Sequence, residues 1–232
     1  GQQLWDELSA KFGIKPFMCG NTGVQMGGWF RKEIKSPDDL KGLKMRIPGA
    51  GGQVMTKLGA SVINVPGGQI YEQLMSGAID ATEWVGPWND EFLKFYEAAK
   101  FYYYPGMHEP GSMLSLGVNK SWFEKLSKTD QLILETCATA ENEIMFAEFQ
   151  RNNGVALDRL IKNHGVKLMQ FNNRVYDAFG KAAEEVHKEN EASSDIAKRT
   201  VQSFFKARKE VGGWNKISTQ AYLQQRNRVL GI

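Results

Sequence analysis

The stretch SPDDLKGLKMRIPG, residues 36–49, decides the fold class. Ser36 is a helix N-cap type, Pro37 suits a first helical turn, and Asp38 and Asp39 would sit at the positive end of the helix they start. Leu43 to Ile47 then form a short apolar strand around Lys44 and Arg46, and Pro48-Gly49 stop it. A short helix running into a buried strand predicts an α/β lobe. Arg46, a cation that never deprotonates at working pH, stands at the end of that strand, where a cleft would open.

The same rhythm continues on both sides. Residues 2–12 read as a helix with Leu4, Trp5, Leu8 and Phe12 on one face, followed by strand-like KPFMCG (15–20) and GWFRKEI (28–34). Downstream, GGQVMTKLG (51–59) predicts a helix, SVINVP (61–66) a strand, GQIYEQLMSGAID (68–80) a helix, and ATEW (81–84) a strand edge or loop. Residues 88–99 read as one further helix. The run KFYYYPGMHEPGSMLSLGVN (100–119) reads as extended and is broken at Pro105-Gly106 and Pro110-Gly111. From Lys120 onward, apolar residues recur at three- and four-residue steps through residue 165, and again over 173–214 and 215–230, with one strand at VKLMQF (166–171).

Composition narrows the function classes. With 42% hydrophobic and 11% aromatic residues in 232, the chain has too much apolar material to stay disordered. Its 29 basic and 26 acidic side chains leave a charge of +3, spread without a Lys/Arg run, which argues against nucleic acid as a partner. No apolar run reaches the roughly 18 residues of a membrane span, and the opening GQQLWDELSAKFG reads as an amphipathic helix rather than a signal peptide. Cys19 and Cys137 could pair in an oxidising compartment, although two buried free thiols are the commoner reading. There is no G-x-S-x-G, P-loop, G-x-G-x-x-G or zinc-spaced cysteine pair, and PGAGGQ (48–53) lacks the Lys-Ser/Thr of a nucleotide cradle.

Three blocks carry a resemblance: SPDDLKGLKMRIPG, LGASVINVPGGQIYEQLMSGAIDATEWVGP (58–87) and YYYPGMHEPGSMLSLGVNKSWFEKLS (102–127). Together they resemble DctP-type extracytoplasmic receptors of tripartite ATP-independent periplasmic (TRAP) transporters. Glu83-Trp84 and the HEPG block resemble the subgroup that binds 2-oxo and 2-hydroxy monocarboxylates with a metal ion. The resemblance implies an α/β, periplasmic-binding-protein-like fold of two lobes with central mixed sheets and long C-terminal helices. It also implies a periplasmic location, a membrane permease as partner, a homodimer, and a leader and first part of lobe I ahead of residue 1. On that template residues 1–17 are a connecting helix from lobe I, 18–84 the α/β part of lobe II, and 85–107 a lobe I segment. Residues 108–175 are a hinge-crossing strand with lobe II helices, and 176–232 are lobe-spanning, dimerising helices.

The resemblance assigns Arg46 to the substrate carboxylate, which its planar fork of donors matches in two parallel bonds. Residue type alone favours an internal salt bridge for it. The resemblance places Gln25, Glu83 or the Trp84 carbonyl, and Glu109 at the metal, with Gln25 also at the substrate. These are oxygen donors suited to Na+ or Ca2+, and a 2-oxo acid chelates such a cation through one carboxylate oxygen and its C2 oxygen. Read singly, Gln25 is a turn residue, Glu83 a helix cap or solvated charge, and Glu109 a strand-edge charge. Trp84 is the pocket aromatic chosen among Trp84, Trp88, Tyr102, Tyr103 and Tyr104, with Asn21 a further polar candidate. His108 is read as orienting its loop, and His164 and His187 as surface residues. No group in these blocks is free to act as a general base. A carrier of a small acid is therefore the first reading, and a metal-dependent enzyme acting on a 2-oxo acid the second.

Overall fold

The computed structural model describes residues 1–231; Ile232, the last residue of the expected C-terminal segment, lies outside the described residues. In chain order the elements are α1 (Gln2–Ala10), β1 (Ile14–Asn21), β2 (Gly28–Phe30), β3 (Lys44–Arg46), α2 (Gly49–Lys57) and β4 (Ser61–Ile63). There follow α3 (Ile70–Ser76), β5 (Ala81–Thr82), α4 (Pro87–Phe92), α5 (Phe95–Ala98), β6 (Phe101–Tyr104) and β7 (Met113–Asn119). The chain closes with α6 (Lys120–Phe123), α7 (Lys128–His164), β8 (Lys167–Gln170), α8 (Asn173–Ser193), α9 (Asp195–Asn215) and α10 (Ala221–Leu230). Two compact units result, one of residues 15–186 and one of Gly1–Ile14 with the segment from His187 onward.

The larger unit is built on a six-stranded sheet in the order β4-β3-β5-β2-β6-β8. Strand β3 runs parallel to β4 and β5, with Arg46 opposite Ile63 and Thr82. Strand β2 is antiparallel to β5 and β6, and β6 is parallel to β8. This is the mixed α/β sheet that the resemblance implies. The directions have a functional consequence. The C-terminal ends of β3, β4, β5 and β6 and the N-terminal end of β2 all fall on one edge, where open α/β sheets bind ligands.

Both faces of this sheet are covered at its centre, where β2 and β6 are apolar runs rather than alternating ones. Period-two geometry sends Phe30 and Tyr103 to one face, among Leu40, Met45, Met55 of α2, and Phe179 of α8. Trp29 and Tyr102 go to the other, among Ile70 and Leu74 of α3, Phe95 of α5 and Leu160 of α7. A separate pair joins β1 and β7.

Several local expectations change. The SPDD helix is a single 3-10 turn, Pro37–Leu40, pinned by the Asp39 carboxylate, which accepts the Lys35 and Ser36 backbone N–H groups at 2.8 Å each. The expected helix over 88–99 breaks into α4 and α5 at Lys94, whose φ is 56°. A left-handed non-glycine residue costs roughly 1–2 kcal/mol, and the full burial of neighbouring Phe95, worth roughly 1.5–3 kcal/mol, offsets it. The extended run 100–119 divides between the two sheets as β6 and β7. Phe12 lies past the end of α1 and is exposed. Both cysteines are free, but Cys137 is exposed and Cys19 only partly covered, so the buried-thiol reading fails.

In the smaller unit, Arg199 of α9 holds Glu7 of α1 with Nη1 and Nη2 at 2.9 and 2.5 Å and Asp195 with Nε at 2.8 Å. Helix α9 continues through a π-helical turn, Lys216–Gln220, into α10. The continuous helix leaves Val211, Trp214, Ile217, Tyr222 and Val229 exposed. Among the described residues, no helix is long and apolar enough to cross a membrane.

One polar node interrupts the apolar core. Asp90 of α4, 1% exposed, accepts Trp29 Nε1–H and Tyr102 O–H on Oδ2 at 2.8 Å each, beneath the stacked Trp29 and Tyr102 rings. Burial pushes its carboxyl up to about 6, against the opposing pull of these donors. A carboxyl raised in the folded state binds its proton more tightly there than when unfolded. Its contribution to stability is therefore greatest at low pH and is lost as pH rises from near 4 through about 6. Relative to Asp90→Asn, the protein should lose roughly 2–3 kcal/mol of unfolding free energy between pH 4 and 7. Urea titrations at both pH values check this, and a pH-independent difference would contradict it.

Candidate functional site

The residues singled out in the sequence collect at the edge the topology defines. Arg46 ends β3, and Glu83 and Trp84 leave the parallel neighbour β5. Gln25 precedes β2, and His108 and Glu109 follow β6. Backbone bonds tie these loops together: Gln25 N–H reaches the Glu109 carbonyl at 3.4 Å, Met26 N–H the Val85 carbonyl at 3.0 Å, and Glu83 N–H the Arg46 carbonyl at 3.2 Å.

At the centre lies a buried carboxylate. Glu83, 2% exposed, accepts Arg46 Nη1–H on Oε1 at 2.6 Å and meets His108 Nε2 with Oε2 at 2.8 Å. An ionised carboxylate only accepts, so the second contact puts a hydrogen on His108 Nε2. Arg46 Nη1 also reaches the Glu83 carbonyl at 3.1 Å, and Nε the Val65 carbonyl at 3.4 Å. The guanidinium carbon lies 5.1 Å from the Trp84 ring centroid, within cation–π range. The internal salt bridge favoured by residue type is therefore present. Even so, among the described residues Arg46 Nη2 has no hydrogen-bond partner.

Two glycines make room for this packing. A Cβ on Gly51 of α2 would stand 2.7 Å from His108 Cβ, and one on Gly67 would stand 2.6 Å from the Trp84 indole. The glycine-rich PGAGGQ turn thus lets His108 approach.

The oxygens expected at a metal differ in availability. Both Glu83 oxygens are engaged by Arg46 and His108. Gln25, 3% exposed, donates Nε2–H to Thr22 Oγ1 at 3.2 Å, while its Oε1 is buried without a partner. Among the described residues, neither the Glu109 carboxylate nor the Trp84 carbonyl has a hydrogen-bond partner. A buried amide oxygen left unpaired costs about 1–3 kcal/mol unless a ligand reaches it. The residues present thus fit an oxygen-coordinated cation. Among the described residues no three His, Cys, Asp or Glu side chains gather at a metal distance, so such a cation would rely on neutral oxygens as well.

The other candidates stand apart. Asn21 Oδ1 accepts Gly23 N–H at 2.9 Å and closes its own turn. Tyr102 and Tyr103 are core residues, and Trp88 packs edge-to-face on Phe149. Sequence reading places His108 only in the service of its loop and misses its partnership with Glu83, because that contact joins residues 25 apart in sequence. His108 Nδ1 is also buried without a partner.

An arginine and open oxygens at the C-terminal edge of a doubly covered sheet define a solute-binding class of α/β protein. A family model described as the DctP bacterial extracellular solute-binding protein, family 7, matches residues 1–194, and the chain belongs to this family of periplasmic solute-binding transport proteins, which are not enzymes. A monocarboxylate 2-oxoacid-binding periplasmic protein of Nostoc sp. is 46% identical over 217 residues, covering 93% of this chain. The chain spans 59% of that relative's length. A TRAP transporter solute-binding protein from Bordetella bronchiseptica RB50 superposes with a TM-score of 0.95 at 37% identity, over 100% of this chain and 68% of that one. Its structure is a mixed-occupancy dimer with copurified calcium and picolinate in one active site and the other site apo. A TRAP periplasmic solute-binding protein from Pseudoalteromonas atlantica T6c, with bound sodium and pyruvate, superposes at 0.92 with 40% identity, over 97% and 68% of the two chains.

The Arg46–Glu83 pair makes a stability prediction. Removing one partner of a buried pair strands the other charge, at about 3–5 kcal/mol. Arg46→Met should destabilise by that order, and adding Glu83→Gln should restore a large part of it. A double-mutant cycle from denaturant melts measures the coupling; strictly additive losses would contradict the pairing.

Proposed function

We propose that the protein is the solute receptor of a TRAP transporter and binds a small 2-oxo or 2-hydroxy monocarboxylate, of the pyruvate or lactate kind, together with Na+ or Ca2+. The observation that carries this reading is the buried, unpartnered Gln25 Oε1, joined by backbone contacts to the loops of Trp84 and Glu109 at the edge that Arg46 occupies. The Nostoc, Bordetella and Pseudoalteromonas relatives support the acid class and the presence of a cation.

In this reading Arg46 engages the substrate carboxylate through Nη2, and Trp84 walls the anion and keeps water away. Gln25 Oε1, the Trp84 carbonyl and the Glu109 carboxylate hold the cation. Glu83 is withheld from it by Arg46 and His108 and instead aims the guanidinium. The cation supplies a positive charge that recognises the substrate's C2 oxygen. Arg46 alone accepts any small anion of suitable size; a C2 oxygen is what distinguishes a 2-oxo acid from an unsubstituted one. Delivery goes to membrane permease subunits. The exposed apolar residues of α9 and α10 form the contact of a homodimer.

Calorimetric titration with pyruvate tests this. Binding should weaken on chelation or on removal of sodium, and propionate, which lacks the C2 oxygen, should bind about tenfold or more weakly. Arg46→Lys should cost about tenfold in affinity, as a point charge replaces a planar fork, and Glu109→Gln should steepen the dependence on added cation. Light scattering should give a dimer. Equal affinity for pyruvate and propionate, unaffected by cation, would overturn the reading.

A further inference from the structure

We propose that Asp90 is a positioning residue for the site: its carboxylate fixes the peptide that carries the Trp84 carbonyl. The inference rests on the cation-assisted reading above and adds to it a residue that touches neither ligand nor ion.

Asp90 Oδ2 is anchored in the core by Trp29 and Tyr102, while Oδ1 accepts two loop amides, Val85 N–H at 3.2 Å and Gly86 N–H at 3.1 Å. Asp90 N–H returns a bond to the Gly86 carbonyl at 2.9 Å. One buried carboxylate therefore collects four side-chain-directed donors and joins β2, β6 and the loop after β5 at a single point. The Val85 N–H belongs to the same peptide unit as the Trp84 C=O. That peptide is trans, since among the described residues the one cis bond is Tyr104–Pro105. In a trans unit the N–H and C=O point in opposite directions. Holding the N–H toward Asp90 turns the Trp84 oxygen away from that carboxylate, and among the described residues no donor meets it there. An N–H bonded to a carboxylate also polarises its amide and raises the negative charge on that carbonyl oxygen. Orientation and charge both favour a cation ligand.

The carboxyl is tolerated neutral as well as ionised, since burial pushes it up to about 6. The isosteric Asp90→Asn is therefore expected to fold. It cannot serve all four donors: whichever way the amide lies, its NH2 faces one donor pair. Asp90→Ser, too short to span both loop amides, is the second variant. Tyr102→Phe is the control, because it removes one core donor and leaves the Oδ1 bonds to the loop intact.

Two readouts are taken on the whole protein: amide hydrogen exchange at Val85 and Gly86 by NMR, and pyruvate titration with and without calcium. Asp90→Ser should exchange these two amides about tenfold or more faster and lose about tenfold or more of its calcium-dependent pyruvate affinity, following the worth of charge-assisted hydrogen bonds; Asp90→Asn, whose oxygen still accepts both loop amides when its NH2 turns to the core pair, should show a smaller loss of both. Tyr102→Phe should lower the melting temperature and leave affinity within about twofold of wild type. If Asp90→Ser melts like Tyr102→Phe and keeps wild-type affinity, the positioning role is overturned. If wild type itself fails to bind pyruvate with calcium, the carboxylate reading falls, and this inference falls with it; that result is read from the wild-type titration before any variant is compared.

Discussion

The arrangement depends on one carboxylate taken out of water at the ends of two parallel strands. Glu83 is held between Arg46 and His108 with 2% of its surface exposed. Desolvating a carboxylate costs several kcal/mol, and only well-aimed charged partners offset that. The partners are well aimed because register places Arg46 beside Thr82, one residue ahead of Glu83. The pairing does more than neutralise a buried charge. It fixes the plane of the guanidinium through Nη1 and, among the described residues, leaves Nη2 without a partner, so that the free nitrogen is held at a set angle rather than swinging.

Much of this was legible in the sequence. Helix and strand types and the helical second half follow from hydrophobic period and from Gly/Pro punctuation, while the mixed sheet came from the family resemblance. Period two puts Tyr102 and Tyr103 on opposite faces of β6, where the structure has them. What failed was decided by tertiary packing: the break at Lys94, which serves the burial of Phe95, and the exposure of Phe12 beyond the end of α1. Local propensity carries no information about such trades.

The candidate site divides in the same way. The family resemblance raised Arg46, Gln25, Glu83, Trp84 and Glu109 together where residue type alone did not, and strand directions bring their loops to one edge. Which oxygen of the Glu83-Trp84 pair stays open was not legible, because the answer depends on His108, 25 residues away in sequence. Asp90 was invisible for a similar reason. An aspartate near the start of a short helix reads as ordinary dipole compensation, and only the indole and phenol donors above it reveal an anchor. The proposed selectivity follows from dividing labour between two unlike charges: a planar fork for the carboxylate and a spherical ion for the neighbouring oxygen.

The most direct measurement is a crystal structure of the protein grown with pyruvate and calcium, with the ion located by its anomalous signal. The account predicts calcium bound to Gln25 Oε1, the Trp84 carbonyl and Glu109, with a pyruvate carboxylate on Arg46 Nη2 and Glu83 still held by His108. An ion seated on the Glu83 carboxylate, or a pyruvate that makes no contact with Arg46, would contradict it.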